Sequence, residues 1–368
     1  MTPAAGGSGA GPGRLSLFLS QRKAMAPAFQ PRQIAAYADA MVDYTQQLQA
    51  GWREGEERAI DQEMTALTMR IVGKTLFDAE MLGDTDDLGA AITTILQYMN
   101  YSISHVFPIP VTWPTPRSRR TRAALDLVKT RLQAMIAERR ARADARNDFL
   151  SILLRTRDET GAAMSDEQVR EEAMTLFLAG HETTANTLAW CAYFLAIHPA
   201  VADRLQAEAD RVLGGRAATA ADGPALGYAL QVFKEALRLY PPADGVTRTA
   251  LHAVDIGPYR LQKGEIVVLP IYTIHRRPEF FPDPERFDPD RFLPEREKQL
   301  PRHAFMPFSA GPRICLGNYF ALLEGQLVLA TLAQHVRFEL VPAQEIVPFP
   351  VFALRQKHGC RVIIHRRP

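Results

Sequence analysis

The chain has 368 residues, of which 47% are hydrophobic, so a large core is expected and overall disorder is excluded. Lys and Arg number 43 against 41 Asp and Glu, and the resulting net charge of +2 gives no reason to expect nucleic acid as a partner. No run of about 18 apolar residues occurs, so no membrane span is expected, and the N-terminus lacks the apolar region of a signal peptide.

The three cysteines are Cys191, Cys315 and Cys360. Their odd number and their spacing fit neither a disulfide framework nor a zinc site. A reducing, cytoplasmic compartment is therefore the expected location.

The N-terminal half is predicted to be helical after a Gly-rich tail. Apolar residues recur at helical spacing over residues 15–29, 31–51, 61–76, 88–101 and 118–146. In the third of these helices Asp61 is the expected cap, and Met64, Leu67 and Ile71 fall on one buried side.

The segment over residues 105–116 breaks this pattern, because it is rich in proline yet contains Phe107 and Trp113. Two interpretations stay open: a lid or wall of an access channel, or a packed connector. The basic run that follows comprises Arg117, Arg119, Arg120 and Arg122, and it is interpreted as the solvated start of a helix.

Ser165 is a good N-cap for the longest predicted helix, which ends at His198-Pro199. Gly and several polar residues interrupt its centre, which reads Ala179-Gly180-His181-Glu182-Thr183-Thr184-Ala185-Asn186. Such residues are costly inside a buried helix. From the residues alone, a close helix crossing is the favoured interpretation, and a functional site is the alternative.

Two further helices are expected over residues 201–213 and 226–240. The second carries Glu235 and Arg238, which share one face and would ordinarily form a weak exposed ion pair. Short strands are expected over residues 253–256, 259–261, 266–269, 337–340, 351–355 and 361–365. Residues 275–292 form an aperiodic meander.

Residues 305–317 form a loop of turn residues that runs into a helix, which places Cys315 at a helix N-terminus. The helix dipole and Arg313 are expected to lower the pKa of the thiol and to suit it for metal ligation. Gly311 permits a left-handed turn, and Gly317 permits close approach of a large group. The alternative is a buried structural cysteine.

Three motifs in this chain resemble those of the cytochrome P450 family. Phe308-x-x-Gly311-x-Arg313-x-Cys315-x-Gly317 resembles the haem-binding loop, Ala179-Gly180-x-Glu182-Thr183 resembles the motif on the distal side of the haem, and Glu235-x-x-Arg238 with Arg286 resembles the structural ion network. The three motifs occur in the order that the family shows. Together they are far more specific than any one of them.

The resemblance implies a mainly α fold with a small β region, and haem b bound between the long helix and the helix after Cys315. Residues 18–368 would be a single domain that lacks the family's N-terminal strands and helices, after a tail of residues 1–17. Cys315 would ligate the iron. The other implied cofactor contacts are Arg313, Arg248 and Arg22 at the haem propionates, and Phe308, Gly317 and Gly180.

The implied reaction is that of a monooxygenase, which inserts one oxygen atom of O₂ into a substrate and takes electrons from a separate ferredoxin- or flavodoxin-type partner. Thr183 and Glu182 would deliver protons. The pocket walls expected from Phe107, Trp113, Leu178 and Phe352 suggest a hydrophobic substrate such as a fatty acid or terpenoid. The alternatives are an inactive or unstable truncated haem protein of the family, a peroxide-driven relative, and a helical scaffold.

Overall fold

The structure is a computed structural model that describes residues 21–23, 25–78, 86–105, 107–141, 148–157, 161–351 and 353–367. Its helices are α1 (Pro31–Ala35), α2 (Ala38–Ala50), α3 (Ile60–Phe77), α4 (Asp86–Ser104), α5 (Pro116–Ala141), α6 (Phe149–Arg155), α7 (Asp166–Ile197), α8 (Pro199–Leu213), α9 (Gly227–Leu239), α10 (Ile271–Ile274), α11 (Pro294–Glu297) and α12 (Asn318–His335). Short 3₁₀ turns cover Ala26–Phe29, Ala220–Ala225, Pro289–Phe292 and Gly311–Arg313.

The strands are short and antiparallel. They are β1 (Glu57–Ala59), β2 (Val246–Thr249), β3 (Val254–Ile256), β4 (Tyr259–Leu261), β5 (Ile266–Leu269), β6 (Val336–Leu340), β7 (Pro348–Pro350), β8 (Leu354–Gln356) and β9 (Arg361–Arg366). One sheet has the order β1-β9-β6, and the others are the pairs β2-β5, β3-β4 and β7-β8. The expected fold class, mainly α with a small β region, is confirmed.

Helix α7 is the central element of the core. It begins with a capping box, in which the Gln168 N–H donates to Ser165 Oγ (3.2 Å) and the Ser165 N–H donates to Gln168 Oε1 (2.9 Å). Helices α3, α9 and α12 and strand β6 pack against it, and Trp190 in its C-terminal half is fully buried. The expected long helix is therefore confirmed, with the predicted cap.

Other predicted elements need correction. The expected helix over 31–51 is interrupted by a turn at residues 36–37. The one over 118–146 begins earlier, at Pro116, and is described as far as Ala141, since residues 142–146 lie outside the described residues. Of the strand expected over 351–355, only the end is confirmed, because β8 begins at Leu354. Strands β1, β2 and β7 and helices α6, α10 and α11 were not predicted, since segments this short show too little periodicity. Residues 1–20 lie outside the described residues.

A buried ion pair connects α9 to the meander. Glu235 and Arg238 are both 0% exposed, and Arg238 donates from Nε to Glu235 Oε2 (2.7 Å) and from Nη2 to Oε1 (2.8 Å). The remaining guanidinium N–H groups donate to the carbonyls of His275 (3.0 Å), Pro284 (2.8 Å) and Arg286 (3.2 Å). These bonds satisfy the buried guanidinium of Arg238, and they fix the backbone of the meander at three carbonyl groups.

The third cation of this network differs from the expectation. The Arg286 side chain is exposed, and only its carbonyl contacts Arg238. Arg291 instead places its Nε 3.4 Å from Glu235 Oε1. Both arginines stand in a Pro-acid-Arg-Phe sequence, at residues 284–287 and 289–292. Of the two side chains, only that of Arg291 is buried against Glu235.

Among the residues that the structure describes, none of the helices combines the length and the apolar character needed to cross a bilayer.

We expect Arg238→Met to lower the free energy of unfolding by about 3–5 kcal/mol, because it leaves Glu235 buried without its partner. Urea unfolding followed by circular dichroism measures the change. Arg260→Met is the matched control, since Arg260 and Asp255 form an exposed pair at 3.5 Å and its loss should cost at most about 1 kcal/mol. Equal costs for the two variants would contradict an organising role for the buried pair.

Candidate active site

The loop that carries Cys315 is closed by backbone hydrogen bonds. The Cys315 N–H donates to the Phe308 carbonyl (2.9 Å), and the Ser309 N–H donates to the Met306 carbonyl (3.0 Å). Ser309 and Gly311 adopt left-handed backbone conformations, with φ of 61° and 70°. The glycine accommodates this conformation without strain, and the loop then passes through a 3₁₀ turn into α12.

The Cys315 thiol lies in a recess. The residue is exposed to solvent, yet enough protein surrounds the sulfur that burial raises the pKa of the thiol. The Gly317 N–H and the charge of Arg22 act in the opposite direction. The expected lowering of this pKa, with Arg313 as the responsible cation, is therefore wrong for the thiol as it stands. A Cβ on Gly317 would lie 3.9 Å from the sulfur, so a glycine leaves that side open.

The three arginines expected at the cofactor gather on this loop. Arg22 donates from Nη2 to the Ile314 carbonyl, next to Cys315. Arg248, on β2, donates from Nη2 to Ser309 Oγ (3.1 Å). Arg313 is exposed on the 3₁₀ turn itself. Three guanidinium groups from distant parts of the chain thus lie around one loop.

The centre of α7 has an open side and a packed side. Ala179 is exposed and Thr183, one turn later, is half-buried, although most of the helix around them is buried. Gly180 lies on the packed side, where a Cβ would be 3.3 Å from Val72 of α3. The helix crossing accounts for the glycine at this position, Ala179 marks the open side, and the contact of Gly180 with the cofactor stays a prediction.

The polar residues at this point of α7 have different environments. Thr183 Oγ1 donates to the Ala179 carbonyl (2.8 Å), so its oxygen remains available as an acceptor. Glu182 is buried, its Oε2 has no hydrogen-bond partner among the described residues, and burial raises its pKa against the opposing charge of Arg355. His181 is buried on the side of α3, where its carbonyl accepts from the Thr68 hydroxyl (2.9 Å).

Helices α7 and α12 meet at Thr184 and Glu324. Glu324 is fully buried, and burial raises its pKa to about 8, with the Thr184 hydroxyl favouring the charged form. Neither carboxyl oxygen has a hydrogen bond of ordinary geometry within the described part of the chain. Ala179, on α7, and Cys315, just before α12, are both exposed to solvent. We infer that the open side of α7 at Ala179 and the Cys315 loop border one region, and we call this region the wedge.

Of the residues expected as pocket walls, the described ones are not brought together. Phe107 and Trp113 are exposed at the end of the α4–α5 pair, and Phe352 lies outside the described residues. Leu178 lines an apolar cavity with Met174 and Phe177, between α7 and helices α3, α4 and α5. At 100° per residue, Met174 and Phe177 lie on the side of α7 away from Ala179, so this cavity is distinct from the wedge.

A buried histidine that was not predicted positions the start of the Cys315 loop. His275 Nε2 accepts from the Met306 N–H (2.9 Å), and its Nδ1 contacts the Arg238 carbonyl (3.3 Å). Because Nε2 is the acceptor, the ring is neutral, and burial lowers its pKa to about 3. The sequence offered no signal for this role, since the residue lies in an aperiodic segment.

Comparison with known proteins gives a consistent result. The family model described as Cytochrome P450 matches residues 18–360. Cyclooctatin synthase of Streptomyces melanosporofaciens is 36% identical, over 91% of this chain and 73% of that protein. Cyclooctat-9-en-7-ol 5-monooxygenase of the same organism is 37% identical, over 88% of this chain and 71% of that protein. The solved structure of a cyanobacterial relative with bound retinoic acid superposes with a TM-score of 0.85 at 28% identity, covering 95% of this chain and 79% of that one.

We expect the stability of the protein to fall on acidification through His275. Protonation is favoured in the unfolded chain and opposed in the folded one, so this contribution to stability declines as the pH falls below about 6.5 towards 3. Between pH 7 and pH 5 the loss should be about 2 kcal/mol. In His275→Gln the amide oxygen can accept from the Met306 N–H without titrating. The free energy of unfolding of this variant, measured with urea, should therefore fall by about 2 kcal/mol less than that of the parent between the same pH values. An identical pH dependence in the two proteins would contradict the assignment.

Proposed function

The chain belongs to the cytochrome P450 family, and we propose that it is a haem-thiolate monooxygenase in which Cys315 ligates the iron of haem b. The proposal is supported by an exposed thiol on a loop that backbone hydrogen bonds close, together with an exposed stretch at Ala179 on α7, the helix that α12 packs against. A buried structural cysteine, the alternative from the sequence, would not be exposed.

The residues around the wedge fit haem in three respects. A thiol is the axial ligand that the family uses, and Cys315 has the open side that a metal requires. Arg22, Arg248 and Arg313 offer guanidinium groups for the two propionates, since arginine binds carboxylates with paired hydrogen bonds. Gly317 has no side chain beside the sulfur, where a Cβ would lie 3.9 Å from Cys315 Sγ. When bound, haem supplies the activation of O₂ and the oxidising power for insertion of an oxygen atom into the substrate.

The protein itself would hold the loop and move protons. Arg22 and Arg248 contact the Cys315 loop already, so binding of the propionates would use groups that are in place. Thr183 donates its proton to the Ala179 carbonyl, and we propose that its oxygen therefore accepts from a water molecule on the open side of α7. That water would deliver the protons that the reaction requires on this side of α7.

Glu182 is the proposed relay from solvent. Its raised pKa and the unpartnered Oε2 suit a carboxyl group that takes up a proton and passes it on. Arg355, the charge that opposes this shift, is exposed on β8, so the route to solvent would leave on that side. This assignment also argues against a peroxide-driven reaction, which does not need a proton relay.

The proposed substrate is a hydrophobic molecule of the terpenoid kind. Ala179 and Thr183 present no charged group to the wedge. A polar substrate would lose its hydration there without new partners, whereas an apolar substrate has no hydrogen bonds to water to lose. One relative is named as a monooxygenase of cyclooctat-9-en-7-ol, a ring alcohol, which supports a substrate with a hydrocarbon skeleton.

The proposed electron donor is a separate ferredoxin- or flavodoxin-type protein that docks on the face behind Cys315. Arg22, Lys23 and Arg313 place positive charge there, which would attract an acidic partner. A cytoplasmic location is part of the same proposal, and the three cysteines are all free thiols, as a reducing compartment requires.

We expect the reduced protein with carbon monoxide to show the Soret band of thiolate-ligated haem, and Cys315→Ser to lose that band because a serine hydroxyl does not replace a thiolate. Difference spectroscopy of the purified, haem-supplied proteins is the measurement. Cys360→Ala removes a buried thiol elsewhere and should keep the band. A parent protein that is folded and haem-supplied but lacks the band would exclude the proposal.

We expect Thr183→Ala to keep haem but to lower product formed per electron consumed by roughly tenfold, with peroxide released instead. Product, peroxide and electron use are measured with a ferredoxin–reductase system and a terpenoid substrate. Thr187→Ala is the matched control, because its hydroxyl makes the same kind of bond, to the Thr183 carbonyl at 3.0 Å, and it should stay coupled. Unchanged coupling in Thr183→Ala would remove the assigned role. A parent protein that binds haem and never turns over would indicate an inactive member of the family.

A further inference from the structure

The open side of α7 is polar in the N-terminal half of the helix. Thr175 is exposed and lies one turn before Ala179, about 40° from it around the helix axis. Glu172 is half-buried at about 20° from Ala179, and Glu171 is exposed one turn before Thr175. This side of the helix therefore presents two carboxylates and a hydroxyl before it reaches Ala179 and Thr183.

Thr175 offers a hydrogen-bond acceptor on the open side. Its Oγ1 donates to the Glu171 carbonyl (2.8 Å), so the hydroxyl proton is used within the helix and the oxygen can still accept. Thr183 makes the same kind of bond to the Ala179 carbonyl (2.8 Å). Two acceptors of one kind thus stand on this side of α7, about 12 Å apart along the helix axis.

No cation of α7 accompanies the two carboxylates. Arg170 is the only Lys or Arg in the helix, it lies about 180° from Ala179, and it pairs with Glu167 (3.2 Å). Burial, and then the like charge of Glu171, raise the pKa of Glu172, and no cation of the described residues opposes that shift. The outer part of the open side is therefore a poor place for a further negative charge.

We propose that Thr175 selects a terpenoid that already carries a hydroxyl group, by accepting a hydrogen bond from that group while the far end of the skeleton reaches Thr183. This inference rests on the proposed function, and it specifies the substrate class of the same site. The distance between the two threonines leaves room for a fused-ring skeleton between the bound hydroxyl and the carbon that is oxidised. The substrate would come from a reaction that installs a hydroxyl, such as the addition of water to a carbocation or an earlier oxygenation.

The same side of α7 disfavours a fatty acid, the other hydrophobic substrate that the sequence suggested. Its carboxylate would bring a third negative charge close to Glu171 and Glu172, while Arg170 lies on the opposite side of the helix. A neutral hydroxyl meets no such repulsion, and it can donate to Thr175. Charge and hydrogen bonding therefore favour the same substrate class.

Ligand titrations of the purified, haem-supplied protein test the role of Thr175. The probes are cedrol with its parent hydrocarbon cedrane, and abietinol with abietadiene. Binding is followed by the change in Soret absorption and, independently, by equilibrium dialysis. We expect Thr175→Val to weaken binding of each alcohol by about three- to tenfold, the effect of one hydrogen bond, and to leave binding of each hydrocarbon unchanged.

Two further variants separate the hydrogen bond from packing. Thr175→Ser keeps the hydroxyl and should retain the affinity of the parent for the alcohols. Thr65→Val is the matched control on α3, because the Thr65 hydroxyl makes the same kind of bond, to the Asp61 carbonyl at 2.8 Å, and its loss should change neither affinity.

A second pair of substitutions tests the exclusion of carboxylates. Glu171→Gln with Glu172→Gln should tighten binding of dodecanoate by at least about threefold at low salt, and leave binding of cedrol unchanged. The matched control is Glu295→Gln with Glu345→Gln, which changes the net charge equally at two exposed positions outside α7. An equal gain in this control, or no gain in the α7 variant, would contradict the exclusion.

Three outcomes would overturn the selection by Thr175. They are failure of the parent to bind either alcohol, unchanged affinity of Thr175→Val for the alcohols, and equal weakening of alcohol and hydrocarbon in that variant, which would assign Thr175 to packing. Each of these results leaves the thiolate Soret band with carbon monoxide in place. Loss of that band from the parent would instead contradict the proposed function.

Discussion

The buried pair of Glu235 and Arg238 is the interaction on which the geometry of the candidate site depends. A guanidinium without exposure must use all its N–H groups, and Arg238 does so by bonding one carboxylate and three carbonyls of the meander. One of those carbonyls belongs to His275, whose ring accepts from Met306 at the start of the Cys315 loop. The hydrogen bonds that satisfy the buried Arg238 charge therefore also fix His275, and the neutral imidazole of His275 fixes the backbone at the start of the Cys315 loop.

The centre of helix α7 has both a close helix crossing and an open side, and the sequence alone could not assign residues to one or the other. Gly180 allows the close approach of Val72 in α3, and this packing explains the glycine in structural terms alone. Ala179, its neighbour, faces the wedge, and Thr183 follows it one turn later on the same open side. Adjacent residues therefore serve a crossing and a site because the helix turns by about 100° between them. The helix crossing is therefore confirmed for one side of this segment, and the functional site stays a prediction for the other.

The fold class, the long helix with its cap and the Cys315 loop were predictable, because each is written in local sequence: periodicity, a capping box and turn residues. Contacts between distant segments were not. Arg286 and Arg291 stand in equivalent Pro-acid-Arg-Phe sequences, and only the packing of the meander decides which one reaches Glu235. His275 lies in the same aperiodic segment. The direction of the Cys315 pKa was also missed, because desolvation depends on the surrounding atoms and not on neighbours in the chain.

The arginines show how little a net charge of +2 says about the use of charge in this molecule. Arg238 is fully buried and makes every bond available to it, so its role is structural. Arg248 binds the Cys315 loop from a strand, with its guanidinium close to where a dianionic cofactor would need cations. Arg120 and Arg122 are exposed on α5, and no ion pair joins them to a carboxylate among the described residues. Burial and bonding partners, rather than composition, therefore decide what each arginine does.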